Sequence, residues 1–372
     1  MPTVNPWLSR FAKLTVVATL WLIFVGGHTT TSGAGMAFQD WPLSHGSLNP
    51  NGWWENMMQR LEHGHRLTAE TVGLLIGILC AWIWRSKMAV PLAFGWSIVL
   101  SLIAKACGAP SKIIAHVGLW SAAFVFAGLI LAQARKPNHD ESAAVRWLGF
   151  AAFVGVIIQA VLGGLRVTIE AGGDPQAAIA LRVIHGCFAQ IELCLIVCIS
   201  EMLAPAPASV SVRLGRFAWI TSAVVFFQLA IGAMMRHMSA GLAIPTFPRT
   251  PDGGWMPKYH SMFIDLNFTH TRFGAALVTI FVLTLAARAI FGAPGNRRIR
   301  GMAWHLVGLL ILQVVLGMFV IWELRPPILT TLHVVNGAGV LASTVLLALR
   351  LSRATSTDAA AFASPKLQEA TA

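Results

Sequence analysis

The sequence predicts an all-α polytopic membrane protein, made of two repeat-related four-helix bundles with an extra helical hairpin inserted in the first, about ten spans in all. Three observations predict it. Of 372 residues, 56% are hydrophobic and only 11% are charged, a balance suited to lipid rather than to a soluble domain. Ten apolar runs each approach the roughly 20 residues that a helical span needs. The two halves also repeat one another motif by motif.

The runs are 12–29, 66–84, 88–104, 113–133, 147–166, 182–203, 215–235, 270–290, 303–322 and 330–349. The third is short and holds Pro91. Charge between the runs sets their direction. Arg10 and Lys13, Arg85 and Lys87, Arg135 and Lys136, Arg213 and Arg216, Arg297 and Arg298, and Arg350 and Arg353 all fall on one side. The positive-inside rule makes that side cytoplasmic and puts both termini there, in a bacterial-type inner membrane. Lys105 and Lys112 are the exception. The other side receives two long loops, 30–60 and 236–268.

The net charge of +12 is then loop charge, and implies no nucleic-acid partner; lipid is the expected surroundings. Cys80, Cys107, Cys187, Cys194 and Cys198 form no Cys-x-x-Cys pair, and read as small packing residues rather than a disulfide or metal framework. The first run reads as a span, not a cleaved leader. The expected organisation is an N-terminal half, 1–212, containing the hairpin 88–133; a C-terminal half, 213–353; and a disordered Ala, Ser and Thr-rich tail, 354–372.

Three alignments carry the repeat. Ala34-Gly35-Met36-Ala37-Phe38-Gln39-Asp40-Trp41-Pro42 matches Ala240-Gly241-Leu242-Ala243-Ile244-Pro245-Thr246-Phe247-Pro248, each after a run ending in Gly-Gly or Gly-Ala. Gln159-Ala160-Val161-Leu162-Gly163-Gly164 matches Gln313-Val314-Val315-Leu316-Gly317-Met318. His65 corresponds to His270, and His185 to His333. The hairpin has no counterpart, and its two crossings leave the direction of the later runs unchanged. The halves therefore repeat in parallel.

Each half brings two histidine helices. His65 pairs with His185, and His270 with His333; two imidazoles facing across a four-helix bundle are a ligand set for a six-coordinate haem iron. Gly64, Gly186, Gly274, Gly337 and Gly339 would let a flat macrocycle or a neighbouring backbone come close. Glu62 stands one turn before His65, where the second half has Asn267. One site thus has an ionisable group for proton chemistry and the other has not. The competing reading for Glu62 is an ion pair with Arg66 or Arg182. Arg66, Arg166, Arg182 and Arg272 are candidates for haem propionates or for plain interface anchors. Gln159 and Gln313 are expected to hydrogen-bond between helices.

Glu62-His63-Gly64-His65-Arg66, the loop Ser32-Gly33-Ala34-Gly35-Met36-Ala37-Phe38-Gln39-Asp40-Trp41-Pro42-Leu43, Leu162-Gly163-Gly164-Leu165-Arg166-Val167 and the two later histidine helices together resemble haem A synthase. The resemblance covers about residues 12–350 apart from the hairpin. It implies that haem O is oxidised at a ring methyl to a formyl group, giving haem A for cytochrome oxidase, with the oxygen taken from water. It implies substrate haem between His65 and His185, haem b held on iron by His270 and His333, and a catalytic role for Glu62. Haem O synthase and cytochrome oxidase subunits are the implied partners, and self-association is open. This chain departs from the family in three places. The loop cysteine pair of many members falls on Phe38 and Ser44, Thr271 separates His270 from Arg272, and the hairpin, with Lys105, Lys112 and His116, is added.

Two other functions compete. A non-catalytic dihaem electron-transfer protein would use the same four histidines without needing Glu62. A transporter would also suit parallel repeats, but its site would lie nearer the middle of the membrane than these histidines do.

Overall fold

The computed structural model describes residues 5–136, 141–204, 212–293 and 296–363. Among them, ten helices are long and apolar enough to cross a membrane. The chain divides into two compact units, Met1–Leu203 and Ala204–Ala372. The first holds α1 (Pro6–Thr31), α2 (Met57–Ile83), α3 (Ala89–Ala106), α4 (Ser111–Gln133), α5 (Ala143–Ala171) and α6 (Pro175–Met202). The second holds α7 (Val212–His237), α8 (Met262–Gly292), α9 (Arg297–Trp322) and α10 (Pro327–Ala363). The expected tail overlaps the last turns of α10 and otherwise lies outside the described residues.

Local chemistry sets the helix ends. Asn5 caps α1 by accepting the Trp7 and Leu8 amides, with Pro6 at the first helical position, where its missing N–H costs nothing. Asn56 caps α2, Ser142 caps α5 and Asp174 caps α6, the last again followed by proline. Pro91 lies in the first turn of α3, where it leaves the helix intact. Gly108 and Gly173 turn the chain after α3 and α5 with φ of 77° and 89°, a left-handed geometry that side chains resist.

In the first unit α1, α2, α5 and α6 close a ring, each packing on the next and α6 returning to α1. The α3–α4 hairpin packs on this bundle, with the Phe126 ring 4.2 Å from that of Phe153 on α5, and Ala89 and Ala93 buried in the same apolar cluster. In the second unit α7, α8, α9 and α10 close a ring of the same order. Each unit has one long loop at the end where its first helix stops: 32–56 between α1 and α2, and 238–261 between α7 and α8.

Inside α8 the hydrogen-bond ladder changes. Residues Thr269–Gly274 form a π-turn between two α-helical stretches. A π-turn accommodates one extra residue without breaking the helix, and the extra residue of this segment, relative to α2, is Thr271.

Candidate functional site

The four paired histidines lie within the first turns of α2, α6, α8 and α10, at the long-loop end of each unit. Each imidazole rests against a glycine of the neighbouring helix. A methyl group added at Gly26 would stand 2.8 Å from His65 Cε1, at Gly163 3.3 Å from His185 Cε1, at Gly232 2.6 Å from His270 Cε1, and at Gly317 3.0 Å from His333 Cε1. Four rings thus sit in four notches, closed to a methyl group at Gly26 and Gly232 and tight for one at Gly163 and Gly317. The glycines beside the histidines in sequence do something else. Gly64 and Gly186 face open space, while Gly274 receives the side chain of Gln228, and Gly337 those of Leu229 and Gln313.

The four side chains also share an electrostatic state. Nδ1 of His65, His185, His270 and His333 is in each case buried without a hydrogen-bond partner. Glutamines fix the backbone beneath them: Gln159 Nε2 donates to the His185 carbonyl at 3.0 Å, and Gln228 Nε2 to the His270 carbonyl at 2.8 Å. Gln313 lies 3.2 Å from His333 Nε2 and accepts from Asn336 at 2.7 Å.

In the second unit the His270 and His333 ring centres are 6.4 Å apart, with planes at 82°. A metal–imidazole bond is about 2 Å and a ring centre lies roughly 1 Å behind its bonding nitrogen, so two imidazoles on one metal have centres roughly 6 Å apart. The ring-centre spacing of the pair is close to that figure. Among the described residues no three His, Cys, Asp or Glu side chains converge, so a compact metal site of the zinc kind has no ligand set there. The five cysteines are free.

Glu62 is 2% exposed. Its Oε1 pairs with Arg66 at 2.6 Å, and its Oε2 accepts the Phe38 amide at 3.0 Å. Of the two partners the sequence offered, Arg66 is the one found; Arg182 pairs instead with Glu170, which also lies 3.9 Å from Arg166. Both terminal nitrogens of Arg66 are engaged. Its guanidinium donates to the carbonyls of Phe38, Asp40 and Leu43 and to Ser44 Oγ, besides Glu62. Arg66, like Arg166, Arg182 and Arg272, thus has partners within the protein. Arg166 donates to the Gly35 carbonyl at 2.6 Å.

The second unit repeats this loop clamp with different chemistry. Asn267, wholly buried, donates to the carbonyls of Ala240 and Gly241. Arg272 donates to the Thr246 carbonyl at 2.7 Å, as Arg66 does to Asp40, the residue aligned with Thr246. The π-turn explains this. It takes up Thr271 and brings Arg272 to the position that Arg66 holds directly after His65.

Phe38 and Ser44, where the resemblance would place cysteines, are both buried and meet on His63. Ser44 Oγ lies 3.3 Å from His63 Nδ1, and the Phe38 and His63 ring centres are 6.0 Å apart. The loop is held by this cluster and by Arg66. His116 of the hairpin touches Trp41 edge-on, and Trp41 fills the space over Gly164.

Sequence reasoning missed the four glycine notches, although two signals contained them. Gly26 and Gly232 are equivalent in the first alignment, as are Gly163 and Gly317 in the second.

Comparison with known proteins places the chain in a family. The COX15-CtaA family model, cytochrome oxidase assembly protein, matches residues 53–347. Relatives named heme A synthase align along nearly the whole chain. That of Geobacillus kaustophilus is 23% identical over 356 residues, covering 93% of each chain. That of Bradyrhizobium sp. strain BTAi1 is 25% identical over 399 residues, covering 95% of this chain and 92% of the other. That of Geobacillus thermodenitrificans is 24% identical over 363 residues, covering 95% of both. With a family model matched over most of its length, the chain belongs to the COX15-CtaA family of cytochrome oxidase assembly proteins.

Proposed function

We propose that the chain is a haem A synthase, oxidising one ring methyl of haem O to a formyl group. The observation that carries the reading is the set of four imidazoles, each buried against a glycine notch with Nδ1 unpartnered, in two pairs of which one has the spacing of a six-coordinate iron. In this reading the two units are repeats of one bundle, His65 and His185 hold the substrate haem, and His270 and His333 hold a resident haem b. The resident haem supplies a one-electron relay when bound. Haem O is the partner small molecule; haem O synthase and cytochrome oxidase subunits are the proposed protein partners, and both termini are cytoplasmic.

The protein's own groups do the rest. Buried glycine notches fix the imidazole planes. Arg166 and Arg182 in the first unit, and Arg272 in the second, offer guanidinium donors at the loop end to carboxylates of a bound macrocycle. The loop is tied to the same end of the bundle by Arg66 and Arg166. Glu62 gives the first unit an ionisable group one turn from His65, where the second has Asn267. Methyl oxidation releases protons as well as electrons, and the Glu62 carboxylate, with Arg66 balancing its charge, is placed to accept a proton or to stabilise positive charge building on the substrate.

A second reading, a dihaem electron-transfer protein, gains support from the same residue. Glu62 is engaged by Arg66 and by the Phe38 amide, which is enough to make it a loop anchor. Extraction and chromatography of haems from membranes making this protein together with a haem O synthase separates the two. Haem A in the wild type, and its loss at least tenfold with haem b retained in Glu62→Ala, is expected. Haem b without haem A from the wild type would establish the second reading.

A further inference from the structure

One buried acid in the first unit has no part in the chemistry above. Glu192 lies on α6, 4% exposed, and neither carboxylate oxygen has a hydrogen-bond partner. It follows His185 by two helical turns, on the same face and about 10 Å further along the axis. It points into a notch on α5: a methyl group at Gly155 would stand 2.1 Å from Glu192 Oε2. Gly155, Gln159 and Gly163 are spaced four apart and share one face of α5. Gly163 receives the His185 ring, Gln159 Nε2 binds the His185 carbonyl, and Gly155 receives the Glu192 carboxyl. Gln159 Oε1, in the middle of this line, is buried and lacks a donor.

The second unit has closed this place with hydrocarbon. Counting from Gln313 and His333, the positions equivalent to Gly155 and Glu192 hold Leu309 and Val340, and Val340 is buried. The glycine and the acid therefore go together, and only in the unit proposed to hold the substrate. Among the described residues, no charge on the helices packed against α6 accompanies the acid. The helices packed on α6 are α5 and α1. On α5 no titratable residue lies between Arg146 and Arg166, and on α1 none lies between Lys13 and His28. On α6 itself the nearest titratable groups are Cys187, Cys194 and Cys198, then His185 and Glu201. An ionisable side chain placed inside a span at such cost is a functional group by default.

We propose that Glu192 is the redox-linked proton site of the first unit, protonated while the haem held there is reduced and releasing its proton when that haem loses an electron. The inference rests on the reading of His65 and His185 as the substrate site. The balance is one electron out to a one-electron acceptor and one proton out from Glu192, so that the span stores no net charge. The protonated carboxyl is a hydrogen-bond donor on the helix face where Gln159 Oε1 is a buried acceptor without one, and the proton released on oxidation passes to solvent water.

The test is a redox titration of the purified full-length protein loaded with haem O, from mildly acidic to mildly alkaline pH, with redox-difference infrared spectra. Wild type, Glu192→Gln and Gly155→Ala are compared. In the wild type the midpoint potential of the first-unit haem falls with rising pH, approaching one proton per electron, and a protonated-carboxyl band appears on reduction. Glu192→Gln, nearly isosteric, loses both while its haem absorption is unchanged. Gly155→Ala displaces the carboxyl and shifts the band. The same slope and band in Glu192→Gln would overturn the role of Glu192. Failure of the wild type to hold haem O in the first unit would instead overturn the site reading, and the proton site with it.

Discussion

At Gly232 the room for His270 is less than one methyl group. A Cβ there would stand 2.6 Å from the imidazole, closer than atoms pack. Gly232→Ala must therefore rotate the ring or part α7 from α8, a kind of overpacking that costs about 1–3 kcal/mol. The expected result is a several-fold fall in haem b per protein, read from the reduced absorption spectrum, with the haem of the first unit retained. Equal haem b in the variant and the wild type would show that the notch does not position the ligand. The histidines themselves were legible from the sequence, because imidazole is rare inside apolar runs and four recur at matched places. Their notches were harder to read, since a glycine shows no chemistry of its own; only the repeated Gly26 and Gly232 hinted at them. Beyond its ion pair with Glu62, the occupation of Arg66 could not be read. Its main partners are backbone carbonyls of Phe38, Asp40 and Leu43, and any residue type supplies those.

Helix α8 shows how an element absorbs a change in length. The sequence alone made the role of Arg272 doubtful, because Thr271 separates it from His270. The π-turn Thr269–Gly274 takes up that residue, and Arg272 reaches the Thr246 carbonyl as Arg66 reaches Asp40. Deleting Thr271 should turn the π-turn into ordinary α-helix, leave both contacts in place and keep haem b bound. Deleting Ala276, beyond the turn, should rotate everything before it by about 100° relative to the rest of α8 and abolish haem b binding. Equal loss in both deletions, measured by haem b content, would mean that the π-turn has another task. The outer hairpin was legible as two apolar runs without counterparts. Its seat was not, since the Phe126–Phe153 contact joins residues that no local pattern relates.

Among the described residues, the ten apolar runs form ten helices long enough to span a membrane, with longer ends than the runs implied because capping residues such as Asn5, Asn56 and Ser261 lie outside the hydrophobic stretches. Each unit closes its own ring of four helices and brings its own pair of histidines to its loop end. The units differ where chemistry would need them to differ. The first has Glu62 where the second has Asn267, and Glu192 with Gly155 where the second has Val340 with Leu309. The division of labour between a substrate site and a resident site is the central claim, and haem analysis of single histidine variants addresses it directly. His65→Ala and His185→Ala, made together with a haem O synthase and purified, should keep haem b and lose bound haem O and haem A. His270→Ala and His333→Ala should lose haem b. If all four variants lost the same haem, or if the unit assignments were reversed, the account would be contradicted.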